Sequence, residues 1–120
     1  MEKMRILAID DNTVNLATLE QELKSKYEVI PMISGRRAIK YLYREQVDLI
    51  LLDVEMPIMS GIKTLEHIRE QEEFSQIPVM FLTADANEET VKSAARLGAV
   101  GYVKKPYMPD DFLERVAKLL

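Results

Sequence analysis

The sequence predicts an α/β domain in which helices cover both faces of a doubly wound parallel sheet. Short apolar runs alternate with longer amphipathic segments along the chain, which is the pattern of repeated strand–helix units. The third apolar run, residues 48–52, is nearly all aliphatic, as expected for a central strand buried on both faces. The 120 residues have the size of one domain, and no linker or repeat divides them. We therefore predict one domain over residues 1–120.

Five strands and five helices are predicted in strict alternation. The strands cover residues 4–9, 27–33, 48–52, 78–82 and 100–103. The helices cover residues 12–25 and 35–45, a segment after the turn DVEMPIMSG, residues 86–97, and a last segment from about residue 109. Pro31 lacks a backbone donor and therefore marks the second strand as an edge strand.

The fourth and fifth predicted helices each lack one stabilising feature, large apolar side chains in the fourth and a side-chain cap in the fifth. The fourth helix has only Val91, Ala94 and Ala95 to bury, so we expect it to be the least firmly docked. Pro109 suits the first turn of the fifth helix, although Met108 before it cannot act as a side-chain cap. The predicted buried stripe of that helix is Leu113, Val116, Ala117 and Leu120. Phe112 lies outside this stripe, and we expect it and Tyr102 to be exposed aromatic residues.

The composition excludes several classes of function. A net charge of -4 and a pI near 5.1 argue against a surface that binds nucleic acid or an anionic membrane. Without cysteine, the chain has no disulfide, zinc–thiolate site or cysteine nucleophile. No apolar run approaches the roughly 18 residues of a membrane span, and the first residues do not resemble a signal peptide. We expect a cytoplasmic protein.

Polar side chains stand where the apolar runs end. Asp10 and Asp11 follow ILAI, Asp53 follows LILL, Thr83 follows VMFL, and Lys104 and Lys105 follow VGYV. The carboxyl ends of parallel strands lie along one edge of the sheet, and ligands bind there where the strand order reverses. The topology therefore directs three carboxylates, a hydroxyl and an ammonium group to one crevice.

These residue types suit phosphoryl transfer. Three converging Asp carboxylates repel one another unless a cation lies among them. With no cysteine, and with His67 expected on an exposed helix face, the ligands are all oxygen atoms, which favours Mg2+ over zinc. An Asp carboxylate can act as the nucleophile and become an aspartyl phosphate. Lys and Thr side chains can bind the remaining phosphoryl oxygens.

Each residue also has a simpler interpretation when taken alone. Asp10 and Asp11 could cap the first helix, as could Asn12 or Thr13. Lys105 could be a solvated surface lysine. A cofactor-binding enzyme on the same fold is a further alternative, but its phosphate-binding turn would be glycine-rich, whereas DDNTVN is acidic.

Four motifs in order carry a resemblance to a known family. IDDN, LLDVEMPIMSG, FLTA and GAVGYVKKPY each stand at a predicted strand end. Together they resemble the receiver domains of bacterial response regulators over essentially all of the chain, and the pattern is similar to single-domain chemotaxis regulators. The resemblance implies a flavodoxin-like sheet with strand order 2-1-3-4-5.

The resemblance also implies a role for each site residue. Asp53 is the phosphoacceptor. Asp11 and Asp53 ligate Mg2+ with the backbone carbonyl of Glu55, and Asp10 assists. Lys105 and Thr83 bind the phosphoryl group, helped by the backbone N–H groups of Val54 and Ala84. Tyr102 changes rotamer with Thr83 on activation, and Glu55 and Asp85 tune the phosphoryl lifetime. Lys104 points away, and the Lys105–Pro106 bond is cis.

The function implied is that of a signalling receiver. A phosphohistidine of a sensor histidine kinase or histidine phosphotransfer protein donates to Asp53, which changes the surface formed by helix 4, strand 5 and helix 5. That surface could also form a homodimer. The domain is not expected to be a turnover enzyme, although slow autodephosphorylation is expected. The alternative is a protein-interaction domain on the same fold that works without phosphorylation.

Overall fold

One five-stranded parallel sheet forms the centre of the protein, with strand order β2-β1-β3-β4-β5. The computed structural model describes residues 2–120. The strands are β1 (Arg5–Ile9), β2 (Glu28–Met32), β3 (Leu49–Leu52), β4 (Val79–Thr83) and β5 (Gly101–Lys104). The helices are α1 (Thr13–Leu23), α2 (Gly35–Leu42), α3 (Gly61–Glu70), α4 (Glu88–Arg96) and α5 (Pro109–Leu119). The predicted fold class and strand order are confirmed.

Short polar side chains determine where most of the helices begin. The side chain of Asn12 accepts hydrogen bonds from two backbone N–H groups of α1, at 2.9 and 3.1 Å. Ser34, Ser60 and Asn87 cap α2, α3 and α4 in the same way. Helix α5 instead begins at Pro109 without a side-chain cap, as Met108 predicted.

The core lies in two layers, one on each face of the sheet. Alternate strand residues point to opposite faces, so β1 and β3 contribute to both layers. Helices α2, α3 and α4 pack on one face and α1 and α5 on the other. All four residues of β3 are buried, which confirms it as the central strand. Strand β2 is an edge strand, as Pro31 predicted.

Helix α4 is weakly docked and helix α5 is rotated relative to the prediction. Ala94 is the one buried residue of α4, which confirms the expectation of light packing. In α5 Val116 is buried as predicted, and Leu113 and Leu120 are partly buried against the same core. The prediction was wrong for Ala117, which is exposed, and for Phe112, which was expected to be exposed and is buried instead. Phe112 is fully buried and its ring packs 4.8 Å from that of Tyr107. The larger apolar area of Phe112 gains more from the core-facing position than Ala117 would.

A short 3-10 helix at Glu72–Phe74 was not predicted and follows α3 directly. Phe74 is buried there and packs edge-on against Tyr43 at 4.9 Å. Across the part of the chain that the structure describes, no helix is both long and apolar enough to cross a membrane.

Candidate phosphoacceptor site

Three carboxylates converge at the carboxyl edge of the sheet, where the strand order reverses between β1 and β3. Asp10 and Asp11 follow β1 directly and Asp53 follows β3. One carboxylate oxygen from each lies within 4.8 Å of the others. Asp10 and Asp53 are buried and Asp11 is exposed. Parallel pairing of β1 with β3, with Ile9 opposite Leu52, brings these side chains together although they are distant in sequence.

Lys105 joins this cluster from the far end of the chain. Its Nζ lies 2.8 Å from Oδ2 of Asp10 and 3.8 Å from Oδ2 of Asp53. The ammonium group therefore offsets part of the repulsion between two buried carboxylates. Lys104 is exposed, as predicted, and the Lys105–Pro106 peptide bond is cis, also as predicted.

Asp10 is held in place by more groups than the sequence indicated. Its Oδ1 accepts the backbone N–H of Asn12 at 2.9 Å, and its Oδ2 accepts from Nδ2 of Asn15 at 3.1 Å. Asn15 was not among the predicted site residues. Asn15 lies in the first turn of α1, five residues after Asp10. A polar residue at that position was the indication in the sequence that its side chain could reach Asp10. These contacts fix the position of the Asp10 side chain, whereas the Asp11 side chain is exposed and accessible to a ligand.

The environment of Asp53 disfavours its ionised form. Burial raises the pKa of Asp53 above the usual value, because a carboxylate loses hydration there. The hydroxyl of Thr83 and the ammonium of Lys105 oppose that shift in the pKa, whereas the charge of Asp10 adds to it. A cation or another positive group beside Asp53 would relieve the same penalty.

Thr83 and Tyr102 are connected through Asp85. Thr83 is fully buried, and its Oγ1 accepts the backbone N–H of Asp85 at 3.2 Å. The Tyr102 hydroxyl donates to the backbone carbonyl of Asp85, and its ring lies 5.6 Å from that of Phe81. Burial, followed by the charges of Asp85, Asp53 and Glu55, raises the pKa of Tyr102 to about 12, so its hydroxyl stays protonated. A movement of Thr83 would therefore displace the backbone of Asp85 and, through it, Tyr102.

The side chain of Asp85 is engaged in the turn that leads to α4. Its Oδ1 accepts the backbone N–H of Asn87 at 2.8 Å, and its Oδ2 lies 3.5 Å from Oγ1 of Thr90. Its carboxylate thus supports the start of α4.

The loop after β3 packs closely against Asp53. The backbone N–H of Glu55 donates to Oδ1 of Asp53 at 3.3 Å, while the Glu55 side chain is exposed. Gly61 donates its N–H to the Val54 carbonyl at 2.8 Å. A Cβ on Gly61 would lie 2.0 Å from the Asp53 carbonyl oxygen, so only glycine fits. This role of Gly61 was not predicted, although the MPIMSG motif contains it. Val54, two residues after β3, is buried, and Ala84, directly after β4, is exposed.

The donor set fits a hard divalent cation. The cluster offers carboxylate oxygens from Asp10, Asp11 and Asp53. Oxygen ligands of this kind are preferred by Mg2+. His67, exposed on α3, takes no part. The fold and site together define a doubly wound α/β domain with an acidic, lysine-supported crevice, the class to which phosphoacceptor signalling domains belong.

Comparison with known proteins identifies the family. The family model described as the response regulator receiver domain matches residues 6–117. A structure of the Vibrio cholerae chemotaxis protein CheY4 is 28% identical, covers 98% of this chain and 99% of its own, and superposes with a TM-score of 0.92. The receiver domain of the Pseudomonas aeruginosa sensor histidine kinase PA1611, described with a coordinated magnesium ion, is 28% identical with a TM-score of 0.88 and covers 98% and 97%. The chain therefore belongs to the response regulator receiver domain family.

Curated relatives are longer proteins that contain such a domain. A probable cyclic di-GMP phosphodiesterase of Vibrio cholerae is 38% identical over 106 residues, which is 88% of this chain and 24% of that protein. The Bacillus subtilis regulator PhoP is 34% identical over 97% of this chain and 48% of its own length. The chain thus spans less than half the length of these two relatives.

Proposed function

We propose that this receiver domain accepts a phosphoryl group on Asp53 from a phosphohistidine of a sensor histidine kinase or a histidine phosphotransfer protein. The observation that carries the proposal is the convergence of Asp10, Asp11 and Asp53, with the ammonium of Lys105 against two of them, Asp10 and Asp53. Such an arrangement neutralises charge and aligns groups, which is what phosphoryl transfer requires. A cytoplasmic location and a homodimer through α4, β5 and α5 belong to the same proposal.

The transfer step uses Asp53 as the nucleophile. A carboxylate oxygen of Asp53 forms a bond to phosphorus as the phosphorus–nitrogen bond of the donor breaks and its electron pair returns to the imidazole. Lys105, already within 3.8 Å of Asp53, pairs with a phosphoryl oxygen. Asp11, Asp53 and the Glu55 carbonyl would hold Mg2+, with Asp10 supporting them. When bound, Mg2+ supplies neutralisation of the charge on the carboxylates and phosphoryl oxygens.

The phosphorylated state would be transmitted through Thr83. An aspartyl phosphate adds about -1.5 to -2 charge and new acceptors beside its hydroxyl. Thr83 would turn from the Asp85 N–H toward the phosphoryl oxygen, helped by the N–H groups of Val54 and Ala84. Tyr102 would follow, because it is bonded to the same Asp85. Helix α4, with one buried residue, is the adjoining element that moves most easily.

The direct test is phosphorylation by a small donor. The protein is incubated with acetyl phosphate and Mg2+, and its intact mass is compared with that of Asp53→Asn. We expect the wild type to gain one phosphoryl group in a reaction that a chelator prevents, and the variant to gain none. Lys105→Met should fold but give a strongly reduced yield. The chain itself would not turn over substrate, beyond a slow loss of its own phosphoryl group.

An unlabelled wild type with its fold intact would contradict the proposal, if a phosphorylated kinase also failed to label it. The phosphorylation-independent interaction domain would then be favoured. Labelling of Asp53→Asn equal to that of the wild type would place the acceptor elsewhere.

A further inference from the structure

Helix α2 presents an exposed basic face in an otherwise acidic protein. Arg36, Arg37, Lys40 and Arg44 are all exposed. The stretch of residues 29–44 contains these four basic residues and no acidic one, which leaves 12 basic and 20 acidic residues for the rest of the chain. Three of these four positive charges lie on α2, and the fourth, Arg44, lies in the turn just after it.

These charges have no ion-pair partners within residues 2–120. None of the four lies within 4.0 Å of a carboxylate oxygen, whereas Lys92, Arg115 and Lys118 each pair with an acidic residue four positions earlier. Arg44 shares a groove with Glu45 and Glu73, so its charge is partly offset. The uncompensated part of the face is Arg36, Arg37 and Lys40.

The arrangement destabilises the helix that carries it. Arg36 and Arg37 occupy the first turn of α2, where the helix dipole favours acidic side chains. Arg36 and Lys40 are four residues apart within α2, and like charges at that spacing cost roughly 0.2–0.5 kcal/mol. A sequence that breaks a local rule repeatedly, with no compensating contact, indicates a functional reason for the charge.

The face has the dimensions of a short peptide-binding strip. Arg36 to Leu42, the last residue of α2, extends about 9 Å along the helix at 1.5 Å per residue, and Arg44 follows in the turn after it. Two exposed apolar side chains flank it, Ile33 before the helix and Tyr43 at its end, with 44% and 56% of their surfaces accessible. A partner would meet positive charge in the middle and apolar surface at both ends.

We propose that this basic face of α2 binds an acidic polypeptide segment with three or four carboxylates over a similar length. The acidic excess on the rest of the surface would repel an extended polyanion such as duplex DNA, and equally an anionic membrane. A short peptide can engage the strip without meeting that surface. Binding here does not require phosphorylation of Asp53.

The test is a titration of the whole chain with an oligoglutamate peptide of about five residues, which spans roughly 17 Å at 3.3 Å per residue in extended form and so covers the strip. Backbone NMR shifts are followed at low and at physiological salt. We expect salt-sensitive shifts centred on residues 33–44. Arg36→Glu/Arg37→Glu should weaken binding about tenfold or more, because attraction becomes repulsion. Its melting temperature should rise, since acidic residues suit this helix terminus.

The matched control is Lys24→Glu/Lys26→Glu, which changes the net charge equally at two exposed positions beyond α1. It should bind oligoglutamate almost as the wild type does. Equal loss in both variants, or shifts centred elsewhere, would overturn the proposal, since net charge alone would then explain the binding. Tighter binding to a DNA duplex or to phosphatidylserine vesicles than to oligoglutamate would overturn the choice of a polypeptide partner.

Discussion

Ile58 is the one non-glycine residue with a positive φ among residues 2–120. It lies in the loop between Asp53 and α3, with φ of 70° and a fully exposed side chain. The N–H of Met59 donates to the carbonyl of Pro57 at 2.7 Å, so Ile58 is the central residue of a γ-turn. Positive φ is strained for a β-branched residue, and γ-turns of this hand are rare.

Replacing Ile58 with glycine should therefore stabilise the protein. Glycine adopts this backbone conformation without strain, and no buried contact is lost because the isoleucine is fully exposed. We expect the free energy of unfolding to rise by about 1 kcal/mol, measured by urea denaturation. Ile33→Gly is the control, because Ile33 is exposed but lacks a positive φ, and its unfolding free energy should fall. A decrease in both variants would contradict the assignment of strain.

Single residues differed in how far the sequence could predict them. Asp10, Asp53, Thr83 and Lys105 were found because each stands at or directly after the end of a strand, and parallel topology brings strand ends together. The conformation of Ile58 could not be predicted, since turns with positive φ normally contain glycine or asparagine. A sequence shows which residue stands in a turn but not the strain imposed by the loop around it.

Among the elements, the C-terminal end of helix α4 is hydrogen-bonded to α3 through one side chain, Arg69. Arg69 donates from Nε to the Leu97 carbonyl at 2.9 Å and from Nη1 to the Ile77 carbonyl at 2.9 Å. Its positive charge also suits the C-terminal end of α4. Because α4 buries only Ala94, these bonds contribute much of what holds that end in place.

Arg69→Met should loosen the end of α4 more than the rest of the fold. The substitution keeps the apolar part of the side chain but removes the guanidinium that donates to the carbonyls of Leu97 and Ile77. We expect a loss of about 1.5–3 kcal/mol in unfolding free energy, and faster amide hydrogen exchange around Leu97 than in α1. Arg96→Met is the control, because exposed Arg96 donates only to Oγ of Ser93 at 3.1 Å. Unchanged exchange at Leu97 in Arg69→Met would show that packing alone holds α4.

The elements themselves were more predictable than their orientations. Strand positions followed from apolar runs, and the light docking of α4 followed from its lack of large side chains. The rotation of α5 did not follow, because a stripe through residues 113, 116, 117 and 120 and one through Phe112 and Val116 fit the periodicity almost equally well. The surrounding core, including the ring of Tyr107, decides between them.

At the scale of the whole molecule, the acidic cluster links stability to cation binding. Asp10 and Asp53 are buried together, and Lys105 offsets only part of their charge. Any cation that binds the folded cluster but not the unfolded chain stabilises the protein by mass action.

Mg2+ should therefore raise the free energy of unfolding of the whole domain. At a Mg2+ concentration of a hundred times its dissociation constant, the free energy of unfolding rises by about 2.7 kcal/mol, which is measured as a shift of the denaturation midpoint. Asp11→Asn should lose most of this gain while folding normally, because Asp11 is exposed. Asp110→Asn, at an exposed acidic position in α5, should retain it. An equal gain in both variants would mean that Mg2+ acts on the surface charge in general.

The contact between Lys105 and Asp10 joins residues 95 positions apart. During synthesis, the first strand leaves the ribosome long before the lysine that completes its crevice. A nascent chain that stops short of β5 cannot form this contact, whatever it has folded by then. The complete cluster therefore arises only after β5 and the lysine that follows it have emerged, so a product that ends before Lys105 would lack the ammonium group beside Asp10 and Asp53.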